Sequence, residues 1–260
     1  MLKGGFMLSV LMAAGGFFNV FTNTGHKPQI EQFDDPALAA IGRLTSARQS
    51  CTATLVAPDI ILTAAHCFLE PVPPEQYVFE LRTTSDERVN VTKIDVRQSP
   101  RLYGTKDFAG RPENDYAFAK LARPVHDVIP ASLSSLRSAG ALERDIHIRL
   151  TGTNPAFRGA FTTEICEPTK YYPDGSEFTH NCSTERGMSG SPLYTVDSGI
   201  VRIIGLHTGA IHGLSAPAPY TLQFANHAIE GSKLRVALDL FVSGAATLCE
   251  MSTTFRIIPQ

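Results

Sequence analysis

The sequence predicts an all-β fold, and three observations carry that prediction. From about residue 40 onward, short apolar or alternating runs are separated by Gly, Pro, Asn and Asp. In "DIHIRL", Ile146, Ile148 and Leu150 alternate with Asp145, His147 and Arg149, the mark of a strand with one wet face. No long amphipathic helical pattern occurs before the end of the chain. Many short strands between turn signals argue for a sandwich or barrel. The 260 residues suffice for one large or two small cores, and 43% hydrophobic with 18% charged residues excludes disordered or collagen-like chains.

Taken in order, the chain opens with Lys3 and the uncharged run "FMLSVLMAAGGFF", 13 residues long, followed by polar "NVFTNTGHKPQ". That run is short for a membrane-spanning helix and has the layout of an export signal, expected over 1–24. Residues 25–39 are expected to be a propeptide or N-terminal arm. Strands are expected in "CTATLVA", "QYVFELR", "RVNVTKIDV" and "DYAFAKL" of a first half, 40–125, and in "DIHIRLTG" and "GIVRIIGLHTG" of a second, 145–230. Between them the stretch from Leu121 to Asp145 is rich in Pro, Ser and Ala, which makes 126–144 the expected linker. In the last segment, 231–260, "GSKLRVALDLFVSG" places Leu234, Val236, Ala237, Leu238, Phe241 and Val242 at helical spacing and stops at Gly244. One closing helix on the second half is expected there, with a peripheral tail after Ala246.

A net charge of −2 offers no basic patch for nucleic acid or anionic lipid. Five cysteines stand at 51, 67, 166, 182 and 249. In an exported chain they read as two disulfides and one spare thiol. Spacing suggests Cys51 with Cys67 and Cys166 with Cys182, although connectivity does not follow from spacing alone. Cys249 is expected to behave as a buried small hydrophobe. No C-x-x-C pair occurs, so neither a metal nor another cofactor is expected.

The chemistry centres on "TERGMSGSPLY", where Ser189 stands between Gly187 and Gly190 in a stretch poor in packing side chains. A serine hydroxyl is a weak nucleophile unless a base lies within reach and a third group orients that base. His66 in "ILTAAHC" and Asp115 in "ENDYAFAKL" are the candidates, each at the edge of an apolar strand where a polar group needs a partner. Together "TLVAPDIILTAAHC", "NDYAFAKL" and "GMSGSPLY" resemble the three signature blocks of chymotrypsin-like serine proteases, in the chain order His, Asp, Ser. The resemblance implies two six-stranded antiparallel β-barrels with a cleft between them. It implies that Ser189 attacks the substrate carbonyl, His66 carries the proton and Asp115 orients His66. It further implies an oxyanion hole from the backbone N–H groups of Gly187 and Ser189, and a disulfide between Cys51 and Cys67 beside the histidine.

Two departures narrow the family. Met188 replaces the aspartate that precedes the nucleophile in members activated by a new N-terminus, and Ser191 replaces a glycine common in animal members. Both features resemble secreted bacterial glutamyl endopeptidases. Ser183 occupies the position of the aspartate that binds basic residues in trypsin-like members. Thr184 in "STERG" and His207 in "GLHTG" match residues that hold a substrate carboxylate in glutamyl endopeptidases, whereas Glu185 opposes such a substrate if it points inward. The expectation is a secreted or periplasmic serine endopeptidase acting on proteins or peptides after Glu or Asp, without nucleic acid, and without stable membrane association once its signal is removed. The alternatives are a protease with different primary specificity and a non-catalytic member of the fold that binds a partner. An α/β-hydrolase fails on chain order and on the strand-rich pattern.

Overall fold

The computed structural model describes residues 20–21, 29–30, 36–47, 49–68, 73–81, 88–96, 114–136, 147–154, 160–210, 218–221 and 223–243. Most of the expected signal and arm, residues 137–144 of the expected linker, and the tail with Cys249 lie outside the described residues.

The first half is a closed antiparallel barrel of six strands. These are β1 (Ile41–Thr45), β2 (Ser50–Ala57), β3 (Ile60–Thr63), β4 (Val78–Leu81), β5 (Arg88–Val96) and β6 (Ala117–Leu121). Their order is β1-β2-β3-β6-β5-β4, and β4 pairs back onto β1 to close the wall. β2 buries six consecutive residues, Cys51 to Val56, rather than alternating. One face fills the barrel and the other is covered by the second half, so both faces are dry. The four residues of β3 are all buried as well.

The second half is a curled sheet of nine hydrogen-bonded strands. It contains β7 (Ile148–Asn154), β8 (Ala160–Cys166), β9 (Pro168–Tyr171), β10 (Glu177–His180), β11 (Pro192–Asp197), β12 (Ile200–Ala210) and β13 (Asn226–Glu230), in the order β9-β10-β13-β12-β11-β7-β8. The short segments Gln29–Ile30 and Ser132–Leu133 complete it, the first against β8 and the second parallel to β12. The all-β double-barrel architecture is therefore as expected. The strand count of the second half departs from six because β9 and these two short segments add to the sheet.

The connecting segment is pinned to both halves. Ala131 N–H donates to Leu55 O at 2.9 Å in the first barrel, and Ser134 N–H donates to Ile203 O at 2.8 Å in the second. The closing helix α1 (Gly231–Ser243) buries Leu234 and Ala237 and packs Leu238 and Phe241 partly against the core, spacings of three and four residues. Val236 and Val242, which fit the expected apolar spacing, are exposed instead. The helix contacts β12 and β13 as expected, yet Phe241 also stacks on Phe118 of β6 with centroids 5.7 Å apart. It therefore ties the end of the described chain to the first barrel.

Two disulfides join Cys51 to Cys67 and Cys166 to Cys182. Among the described residues, no helix is long and apolar enough to cross a membrane.

Candidate active site

His66 sits on the short 3-10 turn Ala65–Phe68 that follows β3. Small Ala64 and Ala65 let this turn fold tightly into the interior, and the Cys51–Cys67 disulfide ties it to β2. Gln49 Nε2 donates to His66 O at 2.8 Å, fixing the backbone from a second side. Asp115 lies just before β6 and is 5% exposed, and His66 is 8% exposed. The two meet at two points. Asp115 Oδ1 accepts the His66 backbone N–H at 2.9 Å, and Oδ2 lies 2.8 Å from His66 Nδ1. A buried carboxylate in this position makes Nδ1 the protonated nitrogen, which leaves Nε2 as a lone-pair base.

Ser189 is half-buried in the loop between β10 and β11, and its backbone is seated on the strands that carry His66. Thr52 N–H of β2 donates to Ser189 O at 2.9 Å, and the disulfide sulfur of Cys67 lies 3.9 Å from the same oxygen. Gly190 N–H donates to His207 O at 2.8 Å, while His207 N–H donates to Ser191 O at 2.9 Å. Gly190 has φ of +82°, and a Cβ there would strike Thr63 Oγ1, Thr52 O and, at 2.9 Å, Ala64 N. Only glycine permits so close an approach of this loop to the histidine-bearing strand.

The oxyanion-hole candidates are held from both barrels. Gly187 O accepts from Thr52 Oγ1 at 3.0 Å and from Thr153 Oγ1 at 2.7 Å, one hydroxyl from each half. Gly187 has φ of +91°, again a glycine conformation. Among the described residues, the N–H groups of Gly187 and Ser189 donate to no protein acceptor. Two such donors in one tight loop are able to serve a developing negative oxygen.

The expected specificity residues lie on neighbouring strands. His207 of β12 is 1% exposed, and its Nδ1 is 3.1 Å from Nε2 of buried His180 on β10. Burial pushes the His207 imidazole down to about 3, helped by the charges that His66 and His227 would carry. Burial likewise holds His180 well below the ordinary histidine range. Both rings are thus neutral at neutral pH. Thr184 is buried and donates to Asn226 Oδ1 at 3.0 Å, while Asn226 Nδ2 donates to Cys182 O at 2.6 Å. Glu185 is half-buried, and burial raises its carboxyl above the ordinary range. Met188 is buried in the second core, where it packs with Leu150, Leu193 and Ile204.

Three partners of this site had no sequence signal of their own. His180 and Asn226 hold the two specificity candidates, and buried Glu164 accepts from Ser183 N–H at 2.8 Å and from its hydroxyl at 3.2 Å. Their types, buried and polar on short strands, are recognisable only once pairing brings them together. Two groups of neighbouring His and Cys atoms occur, Cys51 with His66 and Cys67, and Cys166 with His180 and Cys182. Every sulfur in them is consumed by a disulfide and has no thiolate to offer a metal.

Residues 51–206 match the family model of the trypsin-like peptidase domain, a span that includes His66, Asp115 and Ser189. No curated protein is found to match the chain. The matched span exceeds half of the 260 residues, joins both halves of the fold and covers the loops just described: the chain belongs to the trypsin-like peptidase domain family.

Proposed function

We propose that this peptidase is an exported serine endopeptidase that works through His66, Asp115 and Ser189 and cuts after acidic residues. The observation that carries the first part is the double hold of Asp115 on His66, at 2.9 Å through the backbone and 2.8 Å through the ring. It prepares Nε2 to take the Ser189 proton as Oγ adds to the substrate carbonyl carbon. The N–H groups of Gly187 and Ser189 then stabilise the tetrahedral oxyanion, each donor contributing roughly 3 kcal/mol to barrier lowering. His66 returns the proton to the departing amine, leaving an acyl-serine. Water, deprotonated by the same Nε2, then hydrolyses that ester.

Acidic specificity is supported by the protonation logic around His207. When His180 donates its Nε2 proton to His207 Nδ1, the His207 proton resides on Nε2 and is available to a substrate carboxylate. His180 Nδ1 has no partner among the described residues, and an unpaired acceptor is the milder form of that deficit. His207, neutral because it is buried, recognises the carboxylate by a directed hydrogen bond rather than by a standing charge. Thr184 joins it by turning its hydroxyl from Asn226. Export is supported by the two disulfides, which persist in oxidising compartments.

Mass-spectrometric mapping of cuts in a mixed peptide library tests the reading. Cuts made by the mature protein and absent with Ser189→Ala establish the nucleophile, and Glu or Asp before the cut establishes the pocket. Arg or Phe there removes the specificity assignment. His207→Ala is expected to lose cleavage after Glu far more than labelling by a small fluorophosphonate. Equal losses would assign His207 to folding alone.

A further inference from the structure

The Ser189 loop, residues 181–191, runs without strand pairing between the end of β10 at His180 and the start of β11 at Pro192. Its later part is seated by Thr52 and Thr153 on Gly187 O, by Thr52 on Ser189 O, and by backbone bonds that tie Gly190 and Ser191 to His207. Its first part is held from within the second half, and β8 reaches it twice. In "EIC" of β8, Ile165 is 45% exposed, whereas Glu164 and Cys166 are each 3% exposed and share the opposite face. Cys166 is joined to Cys182. Glu164 spreads its carboxylate over the next residue: Oε2 accepts Ser183 N–H at 2.8 Å, and Oε1 accepts the Ser183 hydroxyl at 3.2 Å.

A carboxylate is a costly occupant of a buried face, and a neutral amide would satisfy the Ser183 N–H without burying a charge. What the carboxylate adds is a second acceptor oxygen, so that Ser183 is gripped at two points and cannot turn about one bond. That restraint matters four residues on. The direction of the Gly187 N–H is set by the peptide joining Arg186 to Gly187, and Gly187, with φ of +91°, has no Cβ to restrain that peptide. Met188 holds the loop by apolar packing, which is not directional. Directional restraint on the upstream side comes from Glu164 on Ser183 and from Asn226 on Thr184.

We propose that Glu164 is a positioning residue of the peptidase reaction: by holding Ser183 at two points it aims the Gly187 N–H at the developing oxyanion. This role rests on the reading that Ser189 is the nucleophile.

The test is the reaction of the full chain with diisopropyl fluorophosphate, which offers no side chain to Thr184 or His207. Ser189 Oγ bonds to phosphorus, His66 takes the hydroxyl proton, fluoride leaves, and the phosphoryl oxygen occupies the oxyanion position. Two quantities are read: the fraction of chains labelled at completion and the rate constant at which that fraction labels. Glu164→Gln is expected to reach the wild-type extent with a rate constant about tenfold lower. Ser183→Ala, which loses the hydroxyl bond alone, is expected to slow labelling about threefold, and the double variant to be no slower than Glu164→Gln, because both changes act on one contact. A purely structural Glu164 lowers the extent along with the folded fraction and leaves the rate constant unchanged, which overturns the proposal. A double variant whose losses multiply overturns it too. If Glu164→Gln does not fold, Ser183→Ala decides by the same two readings. A wild-type chain that does not label at Ser189 removes the nucleophile reading and this role with it, whereas a labelled wild type beside an unslowed Glu164→Gln removes this role alone.

Discussion

Acidification from pH 7 to pH 5 is expected to destabilise the protein through His207. Burial lowers this ring from the ordinary value of 6.5 to about 3. In the unfolded chain it titrates near its ordinary value, so between those two values the unfolded state binds a proton that the folded state refuses. The stability contribution is complete above pH 6.5 and declines as pH falls, by up to roughly 1.4 kcal/mol per unit. At pH 5 this ring alone removes about 2 kcal/mol, a sizeable share of a typical domain's stability. His180 is shifted in the same direction and adds to the loss. The assay is urea unfolding at pH 7, 6 and 5 of the Ser189→Ala chain with and without His207→Gln. The variant is less stable at pH 7 because it loses the bond to His180, but the gap closes by about 2 kcal/mol on reaching pH 5. Parallel loss in both chains, or a His207 NMR titration centred near 6.5, would show that burial does not hold this ring neutral.

Two further changes probe the site directly. Asp115→Asn keeps an oxygen for the His66 backbone N–H but turns an amide N–H toward Nδ1, which moves the ring proton to Nε2 and removes the base. Peptide hydrolysis is expected to fall by roughly 10⁴-fold with little change in melting temperature, and unchanged kcat sinks the assignment of Asp115. Gly190→Ala forces a side chain into a left-handed conformation against Thr63, Thr52 and Ala64. A stability loss of roughly 2–4 kcal/mol is expected in urea unfolding, and a loss within experimental error would mean that the Ser189 loop is not seated on β2 and β3.

Local patterns determined much of this protein. The runs "CTATLVA", "QYVFELR", "RVNVTKIDV", "DIHIRLTG" and "GIVRIIGLHTG" all contain strands, because β-branched and apolar residues between turn formers favour extended backbone wherever they pack. The blocks around His66, Asp115 and Ser189 were legible because tight turns need their small residues and glycines in place. Other strands were obscured by their polarity. β10, "EFTH", and β13, "NHAIE", are wholly buried yet rich in Glu, His and Asn, and no hydrophobic period marks them. Those side chains are tolerated inside because residues distant in sequence supply partners: Thr184 for Asn226, His207 for His180 and Thr208 for His227. The expected helix spacing likewise did not distinguish buried Leu234 from exposed Val236, since packing of α1 on the sheet and on Phe118 selects the face.

The meeting of the two halves is a product of tertiary packing alone. Thr52 and Thr153, 101 residues apart, grip the Gly187 carbonyl from opposite barrels. Sequence carries the types of such residues, but their juxtaposition arises from closing two separate sheets against one another. That closure seats the Ser189 loop of the second half against Thr52 of β2 and against Cys67, the residue after His66.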